Sequence, residues 1–219
     1  MSDKSNKYGY VGVDIPAQSF GSNKGVFNPA EINELVADNK WTSFGQLELI
    51  ETKDITVMTA NIDFTDIKEN IYNVHFITAN DVTSNTTGRH MVKQFSTDGG
   101  STFVTSGYQY AQQYGTSAGS FGETKSTSAS FLGYWTASIS PLSNQTAQAY
   151  SYFYNLGDST KYSFTSFQSS AWYSTGPNYQ MIFGSAVYPS ANVVNAIRLK
   201  SDSTSSFTGQ FSLYGIRYS

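Results

Sequence analysis

The two histidines and the absence of cysteine limit the metal sites and the nucleophilic catalysis that this chain could support. His75 and His90 stand fifteen positions apart, and neither belongs to an H-x-H or H-E-x-x-H motif, so their spacing offers no metal site. The sequence contains no cysteine, which excludes disulfides, thiolate nucleophiles and cysteine-ligated zinc or iron–sulfur centres. Because His75 falls on a strand-like segment, we expect it to be a hydrogen-bonded structural residue.

Paired carboxylates are the groups that glycoside hydrolysis would need. Glu48 with Glu51 and Asp63 with Asp66 are the nearest candidates. Side chains three positions apart in a strand point to opposite faces, and aspartates at a strand end commonly form turns. One G-x-S-x-G sequence occurs, at residues 115–119, but it lies in a Ser/Thr/Gly-rich stretch with no helix predicted after it, so it does not indicate the strand-to-helix turn of a serine nucleophile. We therefore expect solvated or turn-forming carboxylates, no cofactor, no metal and no enzymatic activity.

The segment 96–103 has residue types that predict a tight turn. Its sequence fits S-x-D-x-G-x-T-F, which resembles the Asp-box of sialidase-like propellers, although propellers repeat that motif in every blade and this chain has it once. We expect Asp98 to accept hydrogen bonds from the turn, the glycines to supply positive φ, and Phe103 to pack beneath. The motif predicts a turn that stabilises a β-hairpin, and it does not indicate sialidase activity.

Aromatic residues are the remaining candidates for function. They make up 16% of the chain, against 13% for charged residues, and interface cores are enriched in aromatics and depleted in charge. Subunit contacts are therefore favoured over stacking on sugars, and both stay open. The candidate interface or glycan aromatics are Tyr108, Tyr110, Tyr134, Trp135, Trp172, Tyr173 and Tyr179.

Charge and hydropathy exclude several classes of partner. The formal net charge is −3 and no Lys/Arg cluster occurs, so nucleic-acid binding is not expected. No apolar run of membrane-spanning length exists, and the first residues lack the apolar stretch of a signal peptide. We expect a protein made in a cytoplasm, without membrane insertion.

The dominant pattern in the sequence is alternating hydrophobicity, which predicts the strands that would position the candidate residues. Tyr72, Val74 and Phe76 share one face of a strand, and Phe211 and Leu213 share another. Ten to eleven such segments with no helices between them predict an all-β antiparallel sandwich or barrel over residues 46–219. One segment, 131–139, is predicted to be a strand, and the Ser/Thr/Gly-rich stretch 113–130 a long exposed loop.

Residues 1–45 differ in pattern and predict an extended N-terminal arm followed by one short helix. Asn28 is a suitable N-cap, Pro29 suits the first helical position, and Glu31 completes a capping box. Ile32 and Leu35 then begin an apolar stripe. The predicted helix spans about 28–39, and it is too short to be stable unless that stripe packs on something.

Four segments resemble structural proteins of marine tailed bacteriophages. They are YGYVGVDIPAQSFGSNKGVF leading into NPAEINEL (8–35), DFTDIKENIYNVHF (63–76), YFYNLGDSTKY (152–162) and FSLYGIRY (211–218). The resemblance implies an arm that attaches to the virion, an outward-facing sandwich of jelly-roll type and a homotrimer. It implies no catalytic residues. The expected attachment residues are Tyr8, Tyr10, Ile15, Phe20, Phe27, Ile32, Leu35 and Trp41.

The expected function is that of a non-enzymatic virion structural protein, a capsid decoration or head-fibre component anchored by its arm to other virion proteins. The alternative is a tail-fibre or receptor-binding adhesin that contacts host-surface glycans, and a polysaccharide-degrading enzyme comes third. Deleting residues 1–41 would separate the first two, because only the decoration protein would lose its binding partner.

Overall fold

The computed structural model describes residues 29–37, 47–136, 138–173, 176 and 178–217, without the side chains of Glu31, Val36 and Tyr173. The described residues form one helix and eleven strands. They are α1 (Pro29–Ala37), β1 (Glu48–Thr59), β2 (Asn61–Phe64), β3 (Val74–Ser84), β4 (Met91–Ser96), β5 (Tyr108–Thr116), β6 (Phe121–Ala129), β7 (Ala147–Tyr154), β8 (Ser163–Tyr173), β9 (Asn178–Tyr188), β10 (Ala196–Ser201) and β11 (Phe207–Ile216). Helix α1 belongs to one compact unit of the chain and all the strands to a second.

Helix α1 starts at Pro29, whose missing N–H is unneeded in a first turn. It lies inside the predicted range 28–39. Ile32 and Leu35 are half-buried. The other predicted attachment residues lie outside the described residues. These are Tyr8, Tyr10, Ile15, Phe20, Phe27 and Trp41.

The strands form two antiparallel sheets. Eight strands are hydrogen-bonded in the order β1-β11-β3-β7-β8-β9-β5-β6, and three in the order β2-β10-β4. Side chains from both sheets meet in one hydrophobic core, in which Phe153 and Phe211 of the large sheet and Phe95 and Ile197 of the small sheet are buried. The predicted all-β sandwich is confirmed, and its jelly-roll connectivity stays a prediction.

Two segment predictions were wrong, and the first error has a physical cause. Residues 113–130, predicted to be a loop, form much of the β5–β6 hairpin. Strand β6 carries Ser, Thr, Glu and Lys because it is an edge strand, so it lacks the expected apolar alternation. Residues 131–139 were predicted to be a strand, and their described part, without residue 137, forms isolated bridges instead, Arg89 with Ile139 and Val92 with Tyr134.

The turn predicted at 96–103 is present, with Asp98 as its acceptor, but it does not join the strands of a hairpin, because β4 belongs to the small sheet and β5 to the large one. The Asp98 carboxylate accepts hydrogen bonds from the Ser96 hydroxyl at 2.7 Å, the Thr102 N–H at 2.9 Å and the Thr102 hydroxyl at 2.6 Å. The Ser96 Oγ in turn accepts from the Gly100 N–H. The hydrogen bonds from Thr102 and Ser96 lower the pKa of Asp98 to about 2. Phe103 packs against Arg198, whose guanidinium carbon lies 3.9 Å from the centre of the Phe103 ring.

Candidate functional site

The main candidate site is the face of the eight-stranded sheet that points away from the three-stranded sheet, called here the outer face. In β7 the buried residues alternate with exposed or half-buried ones, and no other described segment of the strand-bearing unit covers the latter. The cross-strand register brings the outward side chains into rows. The central ones are Phe76, Thr78, Ala111, Gln113, Tyr150, Tyr152, Phe164, Ser166, Gln168, Phe183, Ser185, Ser212 and Tyr214.

The outer face is almost free of charge. Among the described outward positions of the six strands between β1 and β6, the one ionised side chain is Asp81, at the β-bulge of β3. Other charges stand on the edge strands, Asp54 on β1 and Glu123 with Lys125 on β6. Such a surface can be covered without desolvating charges, which would be costly.

One half of the outer face is an aromatic cluster. The Phe76 ring lies 4.5 Å from the Tyr152 ring and 6.1 Å from those of Tyr150 and Tyr214, centre to centre. The Tyr150 hydroxyl donates to Gln168 Oε1 at 2.8 Å, which holds the tyrosine across two strands. Pairs of this kind add stability beyond area burial and keep the rings in fixed positions.

The other half of the outer face is concave. A hollow of about 630 Å³ lies over Ala111 and Ser185, between Phe164 and the side chain of Lys125. Phe164 is 45% exposed, and Phe183, nearby on β9, is 43% exposed. The outer face therefore has exposed aromatic rings beside a hollow lined by small residues. Another protein surface can fit against this shape.

Two of the predicted contact aromatics are not available to a partner. Tyr108 and Trp135 are completely buried in the core. The Tyr108 hydroxyl accepts a hydrogen bond from the Phe95 N–H at 2.8 Å, and the Trp135 indole N–H donates to the Tyr150 carbonyl at 3.0 Å. Their polar groups are thus satisfied inside the sandwich, as buried tyrosine and tryptophan require.

The other predicted aromatics divide between the two sides of the large sheet. Trp172 and Tyr179 are exposed on paired outward positions of β8 and β9. Tyr110 and Tyr134 are half-buried on the inner side, 6.3 Å apart. Tyr173 pairs through its backbone, and its side chain is outside the described part.

The aromatics at the centre of the outer face were missing from the predicted site residues. Phe76, Phe164 and Phe183 come from three separate strands, and only the pairing of those strands gives them one surface. Their period-two spacing was visible in the sequence. It assigns residues to a common face of each strand and leaves open which face the second sheet covers.

The acidic pairs have structural partners. A β-bulge between Leu49 and Glu51 puts Glu48 and Glu51 on the same face of β1, which corrects the prediction of opposite faces. Glu48 accepts a hydrogen bond from the Tyr72 hydroxyl at 2.8 Å, and Glu51 pairs with the neighbouring Lys53 at 2.6 Å.

Asp63 also departs from its predicted role in a turn. It lies within β2 and forms two hydrogen bonds of 2.7 Å with Arg198 of β10, tying the two strands together. Asp66 pairs with Lys68 at 2.6 Å on the surface. Among the described residues, no group of three or more His, Asp and Glu side chains is arranged to hold a metal.

His75 takes the structural role predicted for it. Its ring is fully buried, and Nε2 lies 2.8 Å from the Ile67 carbonyl. Since a carbonyl can only accept, Nε2 carries the proton. Burial lowers the pKa of His75 to about 4, so the ring is neutral at physiological pH.

Lys93 is a buried ionisable group that the sequence did not single out. Its ammonium lies 3.9 Å from the centre of the Phe167 ring, within 6 Å of the Trp135 and Phe153 rings, and donates to the Ser151 hydroxyl at 2.8 Å. Burial lowers the pKa of Lys93 well below its usual value. The aromatic faces partly offset that effect, because they attract a cation.

Comparisons with known proteins leave the function to be argued from the chain itself. No family model, no curated protein and no solved structure matches the sequence or the fold. None of the described helical residues forms a segment long and apolar enough to cross a membrane.

Proposed function

We propose that this protein is a non-enzymatic structural component of a bacteriophage virion, and that its copies contact one another through the outer face. The uncovered, nearly charge-free aromatic face of the large sheet is the observation that carries the proposal. Interface cores combine aromatic enrichment with loss of charge, and large apolar patches on a soluble protein mark contact sites. The link to a virion rests on the sequence resemblance to phage structural proteins.

The dimensions of the outer face fit a stable interface. Six strands spaced about 4.8 Å apart, with four or five outward residues along each, give an area of roughly 800 Å². A stable protein–protein contact buries about 800 Å² on each partner.

A second copy of the chain is the occupant that the charges favour. The net charge is −3, and the carboxylates lie mostly away from the outer face. Two copies can therefore meet there without placing like charges together. Two such copies would place the aromatic cluster of each against the concave half of the other, which uses the whole face, and the homotrimer stays a prediction.

Attachment to the particle is assigned to the N-terminal segment, as the sequence resemblance implies. Helix α1 has nine residues, fewer than an isolated helix needs for stability in water. Ile32 and Leu35 are the residues of this helix expected to take part in attachment. Particle binding should therefore depend on the first forty residues, and contact between copies on the outer face.

The test is sedimentation velocity of the full chain from low micromolar to submillimolar concentration, with and without Ser185→Glu. Ser185 is exposed near the centre of the outer face. A glutamate there should leave the fold intact and bury an unpaired charge in any interface. We expect the wild type to form a concentration-dependent oligomer and the variant to dissociate at least tenfold more readily.

Ser143→Glu is the matched control, because Ser143 is exposed in the loop before β7. It should sediment as the wild type does. A wild type that stays monomeric over the whole range, or two variants that behave alike, would contradict the proposed contact.

A further inference from the structure

A second hollow, of about 420 Å³, opens on the inner side of the large sheet. Strands β5 and β9 supply Gln112 and Gln180 to its lining, and the segments around His90, Tyr134 and Asp202 close it on other sides. Its size falls in the range of about 300–1,000 Å³ that small-molecule sites occupy. It shares no lining residue with the concave part of the outer face.

Gln112 presents a donor to this hollow from a largely buried side chain. Its side chain is only 5% exposed, and its Oε1 accepts a hydrogen bond from the Tyr134 N–H at 2.8 Å. An amide N–H requires an oxygen acceptor, so that contact fixes the carboxamide with its NH₂ group on the other side. No described residue accepts a hydrogen bond from that NH₂ group.

Gln180 repeats the arrangement from the neighbouring strand. It is 6% exposed, and its Oε1 accepts from the Ser138 N–H at 3.3 Å. Its NH₂ group likewise meets no acceptor among the described residues. Both glutamines line the hollow, and neither NH₂ group is a buried atom without a partner, so both donors reach the open space, where acceptor oxygens of a ligand can meet them.

His90 and Asp202 add acceptors to the same hollow. The Nδ1 of His90 lies 2.8 Å from the Thr136 carbonyl, which can only accept, so Nδ1 carries a proton, and Nε2 is the acceptor atom of that neutral tautomer. The Asp202 carboxylate accepts the His90 N–H through Oδ1 at 3.3 Å, and its other oxygen makes no hydrogen bond with a described residue.

Tyr134 forms an aromatic wall of the hollow. Its ring is held by Phe131, with ring centres 5.1 Å apart, and by His90 at 5.0 Å and 60°. A ring fixed in this way presents its surface at little entropic cost. Aromatic faces pack well against the C–H groups of a flat, partly apolar ligand.

We propose that this hollow binds a pyranose sugar residue through Tyr134, Gln112, Gln180, His90 and Asp202. A sugar ring carries hydroxyl groups that both donate and accept, and its C–H face can lie on an aromatic ring. An apolar ligand would leave both carboxamides unpaired, and an anion would meet the Asp202 carboxylate. This site is independent of the outer face and holds whether or not that face joins copies of the chain.

The test is saturation-transfer NMR of the full chain with four separate probes: glucose, galactose, mannose and N-acetylglucosamine. For ligands of this size, dissociation constants on the order of 1 mM are expected. Gln180→Glu keeps an oxygen for the Ser138 N–H and removes the donor. Tyr134→Ala removes the aromatic wall while the Tyr134 backbone N–H remains. Each change should weaken binding of the best probe at least tenfold.

Gln113→Glu is the matched control, because Gln113 neighbours Gln112 in β5 and points to the outer face. It should bind the probe as the wild type does. If Gln180→Glu or Tyr134→Ala lowers the melting temperature, Asp202→Asn is the variant to use instead. It keeps an oxygen for the His90 N–H, and it should weaken binding severalfold.

Two outcomes would overturn the sugar site. One is the absence of saturable transfer from all four probes. The other is binding that survives Gln180→Glu, Tyr134→Ala and Asp202→Asn unchanged. Sedimentation of the three hollow variants Gln180→Glu, Tyr134→Ala and Asp202→Asn should match the wild type, so failure of the sugar site and failure of the outer-face contact are read separately.

Discussion

The inner and outer faces of β8 have similar chemistry and opposite exposure. The inward residues are Ser163, Thr165, Phe167, Ser169 and Ala171, and the outward ones are Phe164, Ser166, Gln168, Ser170 and Trp172. The first set is buried, whereas Phe164 and Trp172 are exposed. The outward set is no more polar than the set that forms the core.

Because the two faces of β8 have similar residues, the burial of a side chain in this protein depends on whether another part of the structure covers its face. The three-stranded sheet covers the inner face, and no described strand covers the outer one. A surface that must remain in water would gain solubility from charges, and the outer face has almost none. Its composition is the one expected of a surface that another protein covers.

The largest expected effect contrasts two phenylalanines on opposite faces. Phe153→Ala should lower the free energy of unfolding by about 3–5 kcal/mol, because Phe153 is fully buried and its loss leaves a cavity. Phe164→Ala should cost less than about 1 kcal/mol in the monomer. Urea unfolding below the concentration of self-association measures both. Equal losses would mean that the outer face is already covered within one chain.

The next effect concerns pH and belongs to the inner face. His75 has a folded pKa of about 4 against 6.5 unfolded, so the unfolded chain binds more protons between these values. Its stabilising contribution is complete above pH 6.5 and is lost as pH falls toward 4, by about 3 kcal/mol. Urea unfolding across this range should show the slope.

The His75→Gln variant provides the control for that slope. Glutamine can donate to the Ile67 carbonyl and has no proton to gain, so this part of the pH dependence should disappear. A slope that persists in the variant would assign the effect to other groups.

A third prediction concerns the single ammonium in the aromatic core. Lys93→Met should raise the free energy of unfolding at neutral pH by about 2 kcal/mol, because an apolar side chain of similar length replaces an amine whose burial is costly. The lowered pKa of Lys93 means that wild-type stability rises with pH up to the unfolded value of 10.5, and the variant should lack this rise. Chemical denaturation at neutral and alkaline pH measures both effects.

Ser185→Lys carries the same charge to the outer face. It should leave monomer stability within about 0.5 kcal/mol of the wild type and weaken association. A large loss of monomer stability would contradict the uncovered state of that face, and a destabilising Lys93→Met would show that the aromatic cage holds the charge favourably.

The smallest effect separates two adjacent hydroxyl residues. The Thr165 hydroxyl is buried and has no hydrogen-bond partner among the described residues, so Thr165→Val should stabilise by about 1 kcal/mol. Ser166→Val, one position along and on the outer face, should change monomer stability by less than about 0.5 kcal/mol. Thermal unfolding in parallel tests the pair.

Local patterns in the sequence were enough for several features. The turn at Asp98 was predictable because its hydrogen bonds join residues within a few positions, and the helix because Pro29 and its flanking residues mark a first turn. The role of His75 followed from its place in a strand. Strand β6 was missed because an edge strand with polar side chains resembles a loop in composition.

The candidate sites were less predictable because they depend on pairing between distant strands. Gln112 and Gln180 are separated by 68 positions, and β5 and β9 bring them to one hollow. Glu51 lies on the face opposite to the predicted one, because the β-bulge adds a single residue to β1. Tyr108 and Trp135 were expected at a surface, and the second sheet buried them.

The sequence by itself determined that the chain is all β, short of charge, rich in aromatics and without cysteine chemistry, because composition and period-two spacing are local properties. Only the tertiary structure decided which face of each strand is covered. The physical reason is that alternation specifies two faces and does not rank them when both carry aromatics and hydroxyls. The second sheet made that choice, and no described strand covers the other face.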